Sequence, residues 1–217
     1  MTATLIGATG LIGGYLLEEL LHDSFFDTVK ILIRRPLNIS HPKLEKKMVD
    51  FSDSDSLLVA ISNSDVVFCS IGTTQRKVKG DKEAYRKIDY DIPANLARFC
   101  KMTGCEKFIL VSSAGANRKS KTFYLKLKGE TEEAVASAGL YAVHIMRPSV
   151  LLGHRSETRI GESIGKGVMK ILSFLIPVKY KPVHAKVVAK AMMQAAKKKE
   201  KGVFIYEGHT LLALGKE

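Results

Sequence analysis

The stretch Thr4-Leu5-Ile6-Gly7-Ala8-Thr9-Gly10-Leu11-Ile12-Gly13-Gly14 limits what this chain can fold into more than any other. A short apolar run ends at Gly7, glycines recur at 10 and 13, and Leu11, Ile12, Tyr15, Leu16 and Leu20 follow at helical spacing. The pattern predicts a strand, a tight turn and a helix. The first N–H groups of a helix lack internal partners and sit at the positive end of its dipole, so this junction is a device for binding anions. Glycines let the backbone turn sharply and approach a pyrophosphate without a Cβ in the way. The spacing is G-x-x-G-x-x-G rather than the commoner G-x-G-x-x-G. The phosphate cradle is therefore placed on Gly7, Thr9, Gly10, Leu11, Ile12 and Gly13.

Further strands alternate with helical patterns, which implies an α/β fold: one Rossmann-like domain over 1–217 with a doubly wound parallel sheet, in which about 150–217 form the substrate side. Ligands bind such sheets beyond the carboxyl ends of the strands. Thr28–Ile33 reads as a second strand ending in Arg34 and Arg35, the former 21 residues after Gly13. A group at that place meets the adenosine ribose, where an acid accepts from a free 2′-hydroxyl and arginine accommodates a 2′-phosphate. Two arginines and no acid select NADP(H). Lys46–Phe51 is the expected third strand, with Asp50 and Phe51 at its carboxyl end beside the adenine. Asp65–Thr74 is the fourth strand with its exit, and brings Ile71, Gly72, Thr73 and Thr74 to the cofactor. Lys107–Ala116 is the fifth with its turn and carries Ser112 and Ser113. Tyr141–Val150 is the sixth and ends in Arg147-Pro148, which are counted among the cofactor-binding residues.

Between these lie a polar helix over 52–64, an aperiodic basic loop over 75–82, and a long helix over 82–103 that Pro93 kinks or divides and Gly104 stops. In a helix beginning near Phe123, Tyr124 and Lys128 are four apart and share a face. Residues 160–176 form a basic amphipathic stretch suited to a pocket wall, a dimer face or, least well, a membrane surface. A last helix over 185–197 and a closing strand over 202–206 follow. Cys69 reads as a small core hydrophobe and His144, flanked by apolar residues, as a core histidine.

The net charge of +12 is uneven: residues 1–110 carry 15 Lys and Arg against 14 Asp and Glu, and residues 111–217 carry 19 against 8. This suits either an anionic ligand or a lysine-coated surface. No recognition motif or interleaved aromatic platform accompanies it, so nucleic acid is not an expected partner. No run is long enough to span a bilayer and no signal peptide is evident. Three cysteines outside any C-x-x-C pair, with no histidine cluster to complete a metal set, point to no metal and to a reducing cytoplasm.

Gly7-Ala8-Thr9-Gly10-Leu11-Ile12-Gly13, Ser112-Ser113, Tyr124-x-x-x-Lys128 and Arg147-Pro148 occur in this order. Together they resemble the short-chain dehydrogenase/reductase superfamily in its extended or atypical NAD(P)-binding branch. Ser112–Ala116 and Arg147–Gly153 are similar to the oxidoreductases related to Tat-interactive protein. The resemblance implies hydride transfer between nicotinamide and the carbonyl or alcohol of a small substrate. It implies Tyr124 as the acid–base, since a free phenol with a pKa near ~10 needs a neighbouring cation to work as an anion. Lys128 would supply that cation and bond the nicotinamide ribose. Ser113 would donate to the carbonyl oxygen, with Ser112 as the alternative, and a homodimer through helices in 83–103 and 124–138 would be ordinary. The C-terminal part is shorter than in the sugar-nucleotide epimerases, which disfavours a large nucleotide-sugar substrate. Atypical members also include binders that turn nothing over, so a non-catalytic NADP(H)-binding regulator acting through a protein partner is the second reading.

Overall fold

The computed structural model describes residues 1–153 and 180–216. Its elements in chain order are β1 (Thr2–Ile6), α1 (Leu11–His22), β2 (Thr28–Ile33), β3 (Leu44–Met48), α2 (Ser54–Ile61), β4 (Val66–Cys69), α3 (Lys82–Arg86), a π-helical turn (Lys87–Asp91), α4 (Ile92–Thr103), β5 (Lys107–Val111), α5 (Phe123–Ala136), β6 (Ala142–Arg147), β7 (Leu151–Leu152), β8 (Val183–His184), α6 (Ala185–Lys197), β9 (Gly202–Glu207) and α7 (His209–Leu214). Seven strands form one parallel sheet in the order β3-β2-β1-β4-β5-β6-β9, and β7 and β8 pair separately.

The inner strands are apolar on both faces because helices cover both. Along β2, Val29, Ile31 and Ile33 turn to the side packed by Leu16 and Leu20 of α1 and Val188 and Met192 of α6. Leu32 turns to the other side, which is filled by Leu57 and Ile61 of α2, Leu96 and Phe99 of α4 and Val135 of α5. Two buried lysines close helix ends, where carbonyls lack partners. Lys30 donates to the Ser62 carbonyl beyond α2 (2.8 Å), and Lys107 donates to the carbonyls of Ala196 and Lys198 at the end of α6 (both 2.7 Å).

The doubly wound parallel sheet is as expected. The third strand is not where the sequence placed it: it spans Leu44–Met48, so Asp50 and Phe51 lie beyond it. This is an edge strand with Glu45, Lys46, Lys47 and Met48 exposed, and it carried too little apolar signal to fix its ends. The helix over 82–103 is continuous but not uniformly α: Asp81 caps α3, the π turn over Lys87–Asp91 follows, and Pro93 comes directly after it in the first turn of α4. Gly104 ends α4 in the left-handed conformation (φ +76°). The amphipathic stretch over 160–176 lies outside the described residues. No described helix is long and apolar enough to cross a membrane.

Candidate functional site

The strand order reverses between β1 and β4, and the glycine turn sits there at the carboxyl edge. Two of its glycines are required by packing within the chain. Gly7 has φ +94°, and a Cβ on it would lie 2.8 Å from the backbone and hydroxyl of Ser70. A Cβ on Gly13 would overlap the Gly7 carbonyl. Ser70 locks the turn from β4: its N–H and hydroxyl donate to the Ile6 carbonyl at 2.9 and 3.0 Å. Gly10 is different. It is exposed, it is the N-cap of α1, and it offers no side chain to the N–H groups of the first turn. Thr9 is also exposed. Leu11 is half-buried and Ile12 is buried, so these two contribute to an anion only through their backbone.

Arg34 and Arg35 follow β2 directly and are exposed, and neither is in an ion pair among the described residues. Asp50 is exposed and turns back on its own loop, accepting from the N–H and hydroxyl of Ser52 at 2.8 and 2.6 Å. Those hydrogen bonds hold its carboxyl below the usual range. Phe51 and Ile71 are half-buried. Gly72 is exposed, and a Cβ there would make only ordinary contact with Asp89. The N–H of Thr73 donates to the Asp89 carboxylate (2.7 Å), and its carbonyl accepts from the Tyr85 hydroxyl (3.1 Å). Thr74 caps the following turn, its carbonyl accepting from Lys77 at 2.9 Å.

The β5 exit loop is drawn against α5 and β6. Ser112 donates its N–H to Met146 (2.7 Å), Ala114 to Pro148 (2.9 Å) and Asn117 to Leu125 (3.0 Å). Gly129 makes this approach possible, because a Cβ there would overlap the backbone of Asn117 and Arg118. The two serines are held differently. The Ser112 hydroxyl is buried without a hydrogen-bond partner among the described residues. The Ser113 hydroxyl is half-buried and makes a long contact of 3.4 Å with the Ala114 carbonyl.

Tyr124 and Lys128 lie one turn apart on α5, as the spacing required. The Tyr124 ring is half-buried and meets the Tyr85 ring edge-on at 6.4 Å. Lys128 is buried, and its ammonium pairs with Asp89 of the π turn at 2.9 Å. Burial alone would push this lysine down. The charges of Asp89 and then of Tyr124 outweigh it and hold the group above the ordinary lysine range, so it stays an ammonium at neutral pH. Arg147 donates through Nε (2.9 Å) and Nη2 (2.5 Å) to both oxygens of Glu132, so its charge is directed into α5. Pro148 is buried and holds the β5 exit loop through its carbonyl. Two side chains that the sequence assigned to the core sit there: Cys69 is wholly buried, with its thiol pushed up to about 12, and His144 is wholly buried.

Asp89, Glu132 and Ser70 were not singled out from the sequence. The first two carried a signal: Asp89 falls on the apolar stripe of Tyr85, Ile92 and Leu96, and Glu132 on that of Lys128 and Val135. A carboxylate on a buried stripe needs a partner, and each has a cation.

A glycine turn at the switch point of a parallel 3-2-1-4-5-6 sheet defines a dinucleotide-binding Rossmann domain. Comparison with known proteins narrows the class. A family model described as NAD(P)H-binding matches residues 7–199. Rat Protein HTATIP2 is 35% identical over 165 residues, covering 75% of this chain and 67% of that protein. Protein FMP52-1, mitochondrial, of Scheffersomyces stipitis is 31% identical over 227 residues, covering 100% of both. The solved structure of MoeE5 in complex with UDP-glucuronic acid and NAD has a TM-score of 0.75 at 18% identity, over 96% of this chain and 76% of that one, and shows the shared fold. The chain belongs to the NAD(P)H-binding family, in the atypical short-chain dehydrogenase/reductase group with the HTATIP2 and FMP52 proteins. The expectation of a cytoplasmic protein is corrected by these relatives: FMP52 proteins of S. stipitis and Saccharomyces cerevisiae are named mitochondrial. Free, buried thiols fit any reducing compartment and never singled out the cytoplasm.

Proposed function

We propose that this chain is an NADP(H)-dependent oxidoreductase acting on the carbonyl or alcohol of a small substrate. The residues at the carboxyl edge fit the cofactor. The N–H groups of the first turn of α1, beside an exposed Gly10, receive the pyrophosphate. Arg34 and Arg35 receive a 2′-phosphate. Ile71, Gly72, Thr73 and Thr74 line the approach from β4, and Asp50 and Phe51 lie on the adenine side. When bound, NADP(H) supplies or accepts the hydride.

The observation that carries the reading is the buried, positively charged Lys128 one turn from Tyr124. In reduction, the Tyr124 hydroxyl gives its proton to the substrate oxygen; in oxidation, it takes a proton from the alcohol. Lys128 stabilises the phenolate left behind. Ser113, whose hydroxyl is not committed to a strong internal bond, donates to the substrate oxygen; the buried Ser112 is the alternative donor. Arg147 serves through Glu132, by fixing the end of β6 against the helix that carries Tyr124. Among the described residues, those beyond about 150 form the substrate side.

The test is Tyr124→Phe. A positioned acid–base contributes roughly 10²–10⁴-fold, so turnover of NADPH with a panel of aldehydes and ketones should fall by that order while NADPH affinity is kept. Unchanged turnover in the variant refutes the assignment. One observation favours a second reading, a cofactor-binding regulator: the Lys128 ammonium is already paired with Asp89. That reading gains if the unaltered chain binds NADPH and turns over no carbonyl in the panel.

A further inference from the structure

The basic loop over 75–82 is not absorbed by the chemistry above, and in the structure it is wound tight. Lys77 and Val78 donate their N–H groups to the Thr74 carbonyl (2.9 and 3.2 Å), Gly80 donates to Gln75 (3.0 Å) and Asp81 to Val78 (2.9 Å). Lys79 has φ +51°, in the left-handed region that a residue with a Cβ seldom occupies. Both ends of the loop are fastened beside Tyr124. At its start, the Thr73 carbonyl accepts from the Tyr85 hydroxyl (3.1 Å). At its end, α3 carries Tyr85 against the rings of Phe123 and Tyr124 (5.7 and 6.4 Å), with the Lys82 ammonium 5.6 Å from the Phe123 ring. The segment leading into α5 meets α3 there. Residues 75–86 hold five Lys and Arg against two acids, and residues 117–128 hold five, the buried Lys128 among them, against none.

Most acids of this region are committed. Asp81 accepts from the N–H groups of Glu83 and Ala84 (2.8 and 3.1 Å) at the start of α3, and Glu83 is the acid left exposed beside it. Acids enter α5 only after Gly129, and each is taken by an arginine: Glu130 by Arg86, Glu132 by Arg147 and Glu133 by Arg118. Arg76, Lys79, Lys119 and Lys121 are exposed and outside any ion pair among the described residues. The first turn of α5 holds no acid, although the positive end of a helix dipole favours acids and disfavours cations. A surface built only for solubility intersperses the two signs. Here the cations gather on the Tyr124 side and the acids lie beyond it. We propose that these cations form a rim that selects a substrate carrying its own anionic group, a carboxylate or a phosphate, apart from the carbonyl that Tyr124 serves. This rests on the oxidoreductase reading and names its substrate class. One exposed charge pair contributes little, but several cations around one mouth add their potentials and raise the local concentration of an anion. Arg34 and Arg35 do not serve this purpose: they follow β2, three strands from β5 in the sheet.

The experiment compares matched aldehydes at saturating NADPH: benzaldehyde against para-carboxybenzaldehyde, and glyceraldehyde against its phosphate ester. In at least one pair, kcat/KM at low salt should be about tenfold higher for the anionic member, and the pair that shows it identifies the group. The preference should shrink towards unity in ~1 M salt, where the screening length is about 3 Å. Arg76→Glu combined with Lys79→Glu should abolish or invert it. Lys199→Glu combined with Lys201→Glu removes the same charge at the opposite edge of the sheet, just before β9, and should keep most of it. Equal kcat/KM within both pairs, a preference that survives high salt or the Arg76 and Lys79 changes, or an equal loss in the Lys199 and Lys201 control overturns the rim. If no aldehyde of either kind is turned over, the oxidoreductase reading fails, and calorimetric titration of the same pairs into the NADPH-loaded chain decides the rim separately. Tighter binding of the anionic member supports it; equal or absent binding overturns it.

Discussion

His144 lies in the middle of β6 with no exposed surface, its ring stacked on Phe204 at 5.1 Å and its Nδ1 3.1 Å from the Tyr206 hydroxyl. Its Nε2 has no partner among the described residues. Burial, with the nearby charges of Lys107 and Lys198, lowers its pKa from 6.5 to about 4. Above pH 6.5 the residue is neutral in both folded and unfolded chains and contributes nothing. Between about 6.5 and 4 the unfolded chain binds a proton that the folded chain refuses, so stability falls as pH falls. The loss accumulated by pH 4 is about 3 kcal/mol, because each tenfold difference in proton affinity between the two states is worth about 1.4 kcal/mol. His144→Phe should remove this component: in urea unfolding, the gap between stability at pH 7 and at pH 4 should be smaller than in the unaltered chain by about that amount. Equal pH dependence in both chains would show that the imidazole titrates normally. The role of His144 was legible from its apolar neighbours alone. The partner of Lys128 was not, because spacing shows that two residues share a face but not which charge waits on another helix.

At the scale of elements, Gly129 decides how closely α5 and the β5 exit loop approach. A methyl group there would overlap the backbone of Asn117 and Arg118, which cannot swing aside as a flexible side chain can. Gly129→Ala gains about 1 kcal/mol of helix propensity and suffers overpacking at or above the upper end of the typical range of roughly 1–3 kcal/mol, because the overlap is with backbone, so a net loss of about 2 kcal/mol is expected. Gly14→Ala is the control: in α1 its nearest neighbour would be the Ala8 carbonyl at 3.8 Å, and only the propensity gain remains. Urea midpoints should fall for the first and hold or rise for the second; a stabilised Gly129→Ala would contradict the packing. The inner strands were legible because their apolar runs are covered on both faces, and α6 was found at its observed bounds because its buried stripe is uninterrupted. The edge strand β3 was misplaced because its side chains face solvent. The π turn was invisible for another reason. Sequence periodicity assumes a constant rotation per residue, and the buried residues Tyr85, Asp89, Ile92 and Leu96 keep α-helical spacing across the turn, so nothing in the pattern marks it.

At the scale of the whole molecule, the candidate site belongs to no single element. The proposed pyrophosphate cradle comes from the β1–α1 turn, the proposed ribose cations from the end of β2, the middle wall from β4, and the proposed acid–base pair from α5, all at the carboxyl edge of one sheet. That edge could be read from the sequence because parallel topology sends every strand's exit to the same side. What could not be read is how its charges pair off inside the fold: Arg147 is taken by Glu132 and Lys128 by Asp89, while Arg34 and Arg35 remain exposed without an ion pair among the described residues. This difference carries the last expectation. A ligand held across several strands binds the folded chain and not the unfolded one, so it raises thermal stability by mass action, by about 2.7 kcal/mol at a hundredfold excess over its Kd. For a chain of this size that corresponds to a rise in Tm of roughly 5–10 °C. NADPH should give such a rise and NADH at the same concentration a clearly smaller one, since only NADPH carries a 2′-phosphate for Arg34 and Arg35. Replacing both arginines with alanine should bring the NADPH response down to that of NADH and leave the NADH response unchanged. Equal responses to the two cofactors in the unaltered chain would leave both arginines as ordinary surface charges.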